Sequence, residues 1–161
     1  MSISAIEGKQ FIKDWVDKQT DIKTILDIGV GEGTYRKLFG DKYYWIGVEA
    51  FPAYISWYGL NKIYNKLITG DARKIELPDA DLIICGDVLE HMAYDEVVEF
   101  IEKCDKFKHM VISIPLGYSP QESINGNIYE SHLSCWNMEL AGGLFDFPIK
   151  RKEGEMGVFV R

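Results

Sequence analysis

Thr24-Ile25-Leu26-Asp27-Ile28-Gly29-Val30-Gly31-Glu32-Gly33-Thr34-Tyr35 is the stretch on which the reading of this chain turns. A short β-rich run stops at three glycines on alternate positions, and a helix can open at Thr34 directly behind them. Glycines allow a tight turn and let a bound molecule come up against bare backbone. A helix that starts there points unpaired amide N–H groups at the same spot. The apolar strand before the turn and the helix after it set the segment apart from an ordinary glycine-rich loop.

The alternation continues on both sides. Ser4 to Thr20 reads as a helix, with Ile12, Trp15 and Val16 on one face and Lys9, Lys13 and Asp17 elsewhere. Thr34 to Phe39 forms a second helix. Tyr43 to Val48 is a strand ended by Glu49-Ala50, and Pro52 suits the first turn of a helix running to about Leu60. Lys66 to Thr69 is a short strand. Asp81 to Gly86 is a fourth, whose unbroken apolar centre fits a parallel sheet covered on both faces. Ala93, Val97, Val98, Ile101 and Cys104 fall at helical spacing among acids. Met110 to Ile114 is a fifth strand. A polar stretch over 117–131 has the length of a lid or binding loop. Asn137 to Phe145 reads as a last helix ended by Gly142-Gly143. Phe147 to Lys152 and Met156 to Val160 read as a hairpin around Glu153-Gly154-Glu155. Strands alternating with helices imply an α/β fold with a parallel sheet and right-handed crossovers.

In such a sheet, ligands bind beyond the carboxyl ends of the strands. Acids stand there after three successive strands: Glu49, then Asp71 within Gly70-Asp71-Ala72, then Asp87. Glu49 lies about 20 residues beyond the glycine turn, the spacing of an acid that accepts from ribose hydroxyls. With the glycine turn, the acids suggest an adenosine-like ligand bearing hydroxyls and an amine.

Composition narrows the field. The chain has 161 residues, which fits one domain over 1–161, and its 47% hydrophobic content supports a real core. A net charge of −7 gives no electrostatic footprint for a phosphate backbone, so neither DNA nor a membrane surface is an expected partner. Lys150-Arg151-Lys152 is the densest basic run and reads as a solvated turn. Cys85, Cys104 and Cys135 are widely spaced and lack a C-x-x-C pair, which argues against a disulfide framework and a zinc site. Acids and histidines show no metal spacing, so no metal is expected. Lys9, Lys13 and Asp14 interrupt any apolar stretch near the start, so no signal peptide is expected and a reducing cytoplasm is the default.

These residues resemble the class I S-adenosylmethionine-dependent methyltransferase superfamily, well over Thr24 to Pro115 and more weakly beyond. Asp27-x-Gly29-x-Gly31-x-Gly33 is similar to its first motif, Glu49 to its ribose acid, and Gly70-Asp71-Ala72 to its third motif. Asp81-x-Ile83-x-x-x-Asp87-Val88-Leu89-Glu90-His91 is similar to the fourth-strand signature of its small-molecule members. Glu130 to Leu140 is similar to their segment after strand five. The resemblance implies a Rossmann-like, doubly wound, mostly parallel seven-stranded sheet with a C-terminal antiparallel hairpin.

It also implies S-adenosylmethionine as cofactor, held by Asp27, Gly29, Gly31, Gly33, Glu49, Phe51, Asp71, Ala72 and Asp87. Phe51 is expected near the adenine. Asp71 is expected to take the adenine amino group, with Ala72 beside it. Methyl transfer to a small-molecule acceptor is the implied reaction, and His91 and His132 are the candidate bases for a protonated nucleophile. Tyr118, Tyr129 and Trp136 are candidate walls of an acceptor pocket. A dinucleotide fingerprint puts its third glycine three positions after the second, whereas Gly33 follows Gly31 by two, which disfavours a nicotinamide enzyme. The compressed region after strand five keeps a non-catalytic cofactor-binding or partner-binding module open as the second reading.

Overall fold

A computed structural model describes residues 6–161. The expected helix near the start is α1, Lys9–Asp17; Ser4 and Ala5 lie outside the described residues. Then follow β1 (Thr24–Ile28), α2 (Thr34–Phe39), β2 (Tyr44–Glu49), α3 (Pro52–Trp57), β3 (Lys66–Thr69), β4 (Leu82–Gly86), α4 (Tyr94–Lys103), β5 (His109–Pro115), α5 (Met138–Phe145), β6 (Ile149–Glu153) and β7 (Met156–Val160). The strands form one seven-stranded sheet in the order β3-β2-β1-β4-β5-β7-β6. β7 is antiparallel to both β5 and β6, and the other pairings are parallel. This is the expected doubly wound sheet with its closing hairpin.

Two apolar layers cover the sheet because its residues alternate between faces. Ile25, Leu82, Ile84 and Val111 join Ile12, Val16 and Phe39 on the side of α1 and α2. Leu26, Ile83, Cys85, Ile112 and Phe159 join Val97, Phe100 and Phe145 on the side of α4 and α5. The same alternation aims Asp27, Gly86 and Ser113 at the α1 and α2 side, next to the strand ends. Asp81 fixes the start of the central pair, since its Oδ2 accepts from the amides of Lys23 and Thr24 at 2.9 and 2.8 Å. Register then brings the carboxyl ends level: Ile28 stands opposite both Val48 and Cys85.

Three details differ from the sequence expectations. Lys9 is buried on the same face of α1 as Ile12 and Val16, while Trp15 is only partly buried. α5 does not stop at Gly142-Gly143 but runs through both to Phe145. A Cβ on Gly142 would come no nearer than 3.4 Å to Lys150 Cδ, and the Asn137 side chain caps the helix by accepting from the Leu140 amide at 2.8 Å. Lys150, Arg151 and Lys152 belong to β6, the exposed border strand, rather than to a turn. No helix among the described residues is long and apolar enough to cross a membrane.

Candidate functional site

At the carboxyl ends of β1, β2 and β4 lies a crevice with two lobes. One, of about 680 Å³ including its open mouth, is bounded by Gly31, Glu49, Asp71, Ala72 and Tyr129. The other, of about 870 Å³ on the same measure, is bounded by Asp27, Glu32, Tyr35, Glu90 and His132. Gly29, Gly31, Asp87, His91 and Glu130 border both, so the lobes adjoin.

The glycine turn sits between them. Gly29 and Gly31 hold φ of +66° and +50°, which L side chains rarely adopt. A Cβ on Gly29 would strike Val88 at 2.7 Å, whereas a Cβ on Gly31 would meet only the Gly29 carbonyl, at 3.9 Å, and otherwise point into the crevice. Gly33 has a different task from the one expected. It borders neither lobe, and a Cβ there would strike Ile63 at 2.9 Å, so it allows α2 to pack on the segment after α3.

Glu49 is buried and bridges the turn to α3. Its Oε2 accepts from the Gly31 amide at 3.1 Å and its Oε1 from the Phe51 amide at 2.8 Å. Burial raises its pKa, and these two N–H groups oppose the rise. Phe51 contributes this amide rather than an aromatic wall, because its ring packs on Tyr54 and Trp57 and borders neither lobe. Asp27 is also buried, and the Tyr64 hydroxyl donates to its Oδ2 at 2.5 Å. Burial pushes the Asp27 carboxyl up to about 7; Tyr64 and Lys9 oppose the rise and the Glu49 charge adds to it.

Asp71 borders the first lobe beside Ala72, but Arg73 already grips it. The Arg73 guanidinium donates to Oδ1 and Oδ2 at 2.9 and 2.7 Å, and its amide donates to Oδ1 at 3.0 Å. These bonds hold the Asp71 carboxyl below its usual range and occupy three of its roughly four lone-pair positions. The same guanidinium reaches both oxygens of Glu96 on α4 at 2.7 Å.

Asp87 lies where the lobes meet and has a φ of +56°, unusual for a residue other than glycine. It pairs with the buried Lys9 ammonium at 3.2 Å. Lys9 also lies 5.1 Å from the centre of the Tyr35 ring. Sequence reasoning missed Lys9, although its phase with Ile12 and Val16 was the available signal.

The polar segment between β5 and α5 covers the second lobe. The Glu90 carbonyl accepts from the amides of Leu133 and Ser134 at 2.8 and 3.1 Å. Buried Glu130 accepts from the Tyr54 hydroxyl at 2.8 Å and ties the segment to α3. This folding brings the two candidate histidines together edge to face, with ring centres 4.9 Å apart and planes inclined at 62°. Nδ1 of His91 lies 3.2 Å from the Ser131 carbonyl oxygen, and Nδ1 of His132 bonds the Ser119 carbonyl oxygen. A carbonyl only accepts, so Nδ1 is protonated in each ring, and the neutral imidazole is then the tautomer with its lone pair on Nε2. Burial lowers the pKa of His91 and so favours this neutral form. Of the proposed aromatic walls, Tyr129 borders the first lobe and Tyr118 is exposed. Trp136 is core, stacked between Tyr94 and Phe145.

The crevice fits the group that the sequence resemblance implies. It offers an open cradle at Gly31, carboxylates at Glu49 and Asp71 for hydroxyls and an amine, and an acidic second lobe suited to positive charge. Comparisons agree with this fit. No protein of curated function matches the chain by sequence. Among solved structures, a SAM dependent methyltransferase from Archaeoglobus fulgidus superposes with a TM-score of 0.64 at 20% identity, over 90% of this chain and 70% of that one. An O-methyltransferase family protein from Burkholderia thailandensis gives 0.63 at 16% identity, over 94% of this chain but only 55% of that one. The N-terminal domain of EvdMO1 with SAH bound gives 0.68 at 12% identity, over 98% and 80%. At these identities the likeness is one of fold. The sequence itself matches the model of the methyltransferase domain over residues 26–107, half of its length. With the sheet order and the glycine crevice, that match makes the chain a member of the methyltransferase domain family, within the class I S-adenosylmethionine-dependent superfamily.

Proposed function

We propose that the chain acts as one domain that binds S-adenosylmethionine across both lobes and transfers its methyl group to a small-molecule acceptor. The observation that carries this reading is that the two lobes adjoin at Gly31 and Asp87. The first lobe suits the adenosine, with Glu49 and Asp71 toward its hydroxyls and amine. The glycine turn, Asp27 and Asp87 suit the methionine part. The SAH held by the EvdMO1 domain supports the same ligand class here.

When bound, the cofactor supplies an electrophilic methyl on a positively charged sulfur. The remaining work falls to the protein. It aligns acceptor and methyl in line and excludes water. The segment over 117–136 roofs the second lobe, which favours an acceptor small enough to be enclosed. His91 and His132 stand on the acceptor side and present Nε2 lone pairs, able to hold a proton or a Lewis acid.

Titration with S-adenosylhomocysteine, followed by transfer of labelled methyl to fractionated metabolites, tests the reading. Binding with label appearing in a small-molecule fraction is the expected result. Binding without transfer to any fraction would instead mark a cofactor-binding module, a reading that the short segment between β5 and β6 favours. Absence of binding by folded protein would overturn both.

A further inference from the structure

We propose that Glu90, His91 and His132 form a binding site for one divalent transition-metal ion in the second lobe, against the sequence expectation of no metal. One ligand atom from each residue comes within 4.8 Å of the other two. This is close to the span of ligands around a single ion with bonds of about 2.0–2.2 Å, so small side-chain rotations complete the set.

Three independent observations point the same way. The first is an unanswered buried oxygen. Glu90 is 3% exposed, and its Oε2 is buried without a hydrogen-bond partner among the described residues. A buried carboxylate oxygen without a donor is costly, and a cation answers it. The second is the orientation of the rings. Metal-bound histidines usually give their other N–H to a carbonyl or carboxylate, which fixes the tautomer. Here the Ser131 and Ser119 carbonyls already hold Nδ1 of His91 and His132, which leaves Nε2 as the ligand atom. The third is construction. His91 and His132 are far apart in sequence, and His132 is carried to His91 by backbone bonds from the covering segment. Its own amide donates to Gln121 O at 2.9 Å, and its neighbour Leu133 donates to Glu90 O.

Two imidazoles and one carboxylate make a mixed nitrogen and oxygen donor set. It suits Zn²⁺, Mn²⁺ or Fe²⁺ and disfavours Mg²⁺ and Ca²⁺, which prefer oxygen. Three protein ligands leave coordination positions open. These face the lobe assigned to the acceptor and select for an acceptor with an oxygen donor. That last step rests on the methyl-transfer reading, whereas the metal site does not. The rings would then serve as ligands rather than as bases.

The test uses the whole 161-residue chain stripped with a chelator, on a Cys135→Ser background that removes the exposed thiol. Calorimetry with Zn²⁺ and the paramagnetic resonance of added Mn²⁺ report binding, and S-adenosylhomocysteine is titrated separately into the same sample. One equivalent of Zn²⁺ should bind, at least tenfold more tightly than Mg²⁺, and the melting temperature should rise with it. Glu90→Gln and His132→Ala should each weaken binding at least tenfold while leaving the circular dichroism spectrum unchanged. No stoichiometric binding, or binding that neither variant moves, would overturn the metal site. Failure of the nucleoside titration alone would overturn the methyl-transfer reading and leave the metal site standing.

Discussion

The Gly31 amide donates to the Glu49 carboxylate over 3.1 Å, which joins the bend after β1 to the end of β2. These two residues of the proposed nucleoside lobe are therefore one unit. Gly31→Val should abolish S-adenosylhomocysteine binding, because its side chain would project into the cradle at a φ of +50°. Backbone strain of about 1–3 kcal/mol should accompany it, lowering the melting temperature by several degrees without unfolding the protein. Glu49→Ala should weaken binding and also destabilise, since it strips an acceptor from two amides at about 1–3 kcal/mol each where they stay dry. Calorimetry and thermal melts on both variants check these outcomes. Wild-type affinity in both would remove the nucleoside from this lobe.

Asp27 gives stability a pH dependence of defined sign. Its carboxyl rises from an ordinary 3.8 to about 7 in the fold, chiefly through burial. Between those values the folded chain keeps a proton that the unfolded chain has released. This contribution is fully present below about 4, falls as pH rises towards 7, and stays flat above that. Asp27→Asn keeps an acceptor for the Tyr64 hydroxyl and removes the titration. Urea melts from pH 4 to 8 should show the wild type losing stability relative to the variant across this window. Parallel curves would mean that the carboxyl is ionised throughout.

Arg73 couples the cofactor lobe to α4 by gripping Asp71 and Glu96 together. Arg73→Met should cost about 1.5–3 kcal/mol, the range for hydrogen bonds to charged groups. Arg73→Lys should recover little, because a single ammonium does not reproduce the planar fork. The freed Asp71 should also change its affinity for adenosine. Melting curves and adenosine titration check the pair. Full rescue by lysine would reduce the contact to simple charge.

Gly86 and Tyr35 are fitted to each other at the end of β4. A Cβ on Gly86 would lie 2.1 Å from Tyr35 Cε2 and 2.6 Å from its hydroxyl oxygen. Gly86→Ala should destabilise by about 1–3 kcal/mol, the usual range for overpacking. It should also disturb Lys9, which lies over the same ring. Combining it with Tyr35→Leu should recover part of the loss, seen as non-additivity in a double-mutant cycle. Strict additivity would show that the two residues do not compete for space.

The sheet was legible because its signal is local. Apolar runs such as Leu82 to Cys85 and the turn at Gly29 announce themselves within a few residues. β1, α2 and β3 have the expected boundaries. The crevice was legible in part, since Glu49, Asp71, Ala72 and Asp87 follow strands whose ends the register aligns. What sequence did not disclose depends on contacts between distant segments. Tyr54 meets Glu130 and Lys9 meets Asp87 only once the sheet is built. The pairing of His91 with His132 awaits the covering segment. Phe51 and Gly33 were placed by motif, and packing turned the ring of one and the backbone of the other to different tasks.

The cationic strand β6 has a consequence for how copies of the molecule meet. Sheets with open borders tend to recruit another strand, and lysine along the border discourages it. Lys150, Arg151 and Lys152 are all exposed along that margin. Two such margins brought side by side would confront like charges at their centres. At high concentration the protein should therefore resist growing into fibrils from this side. Raising the ionic strength, or replacing the three cations with threonine, should lift that resistance first at β6.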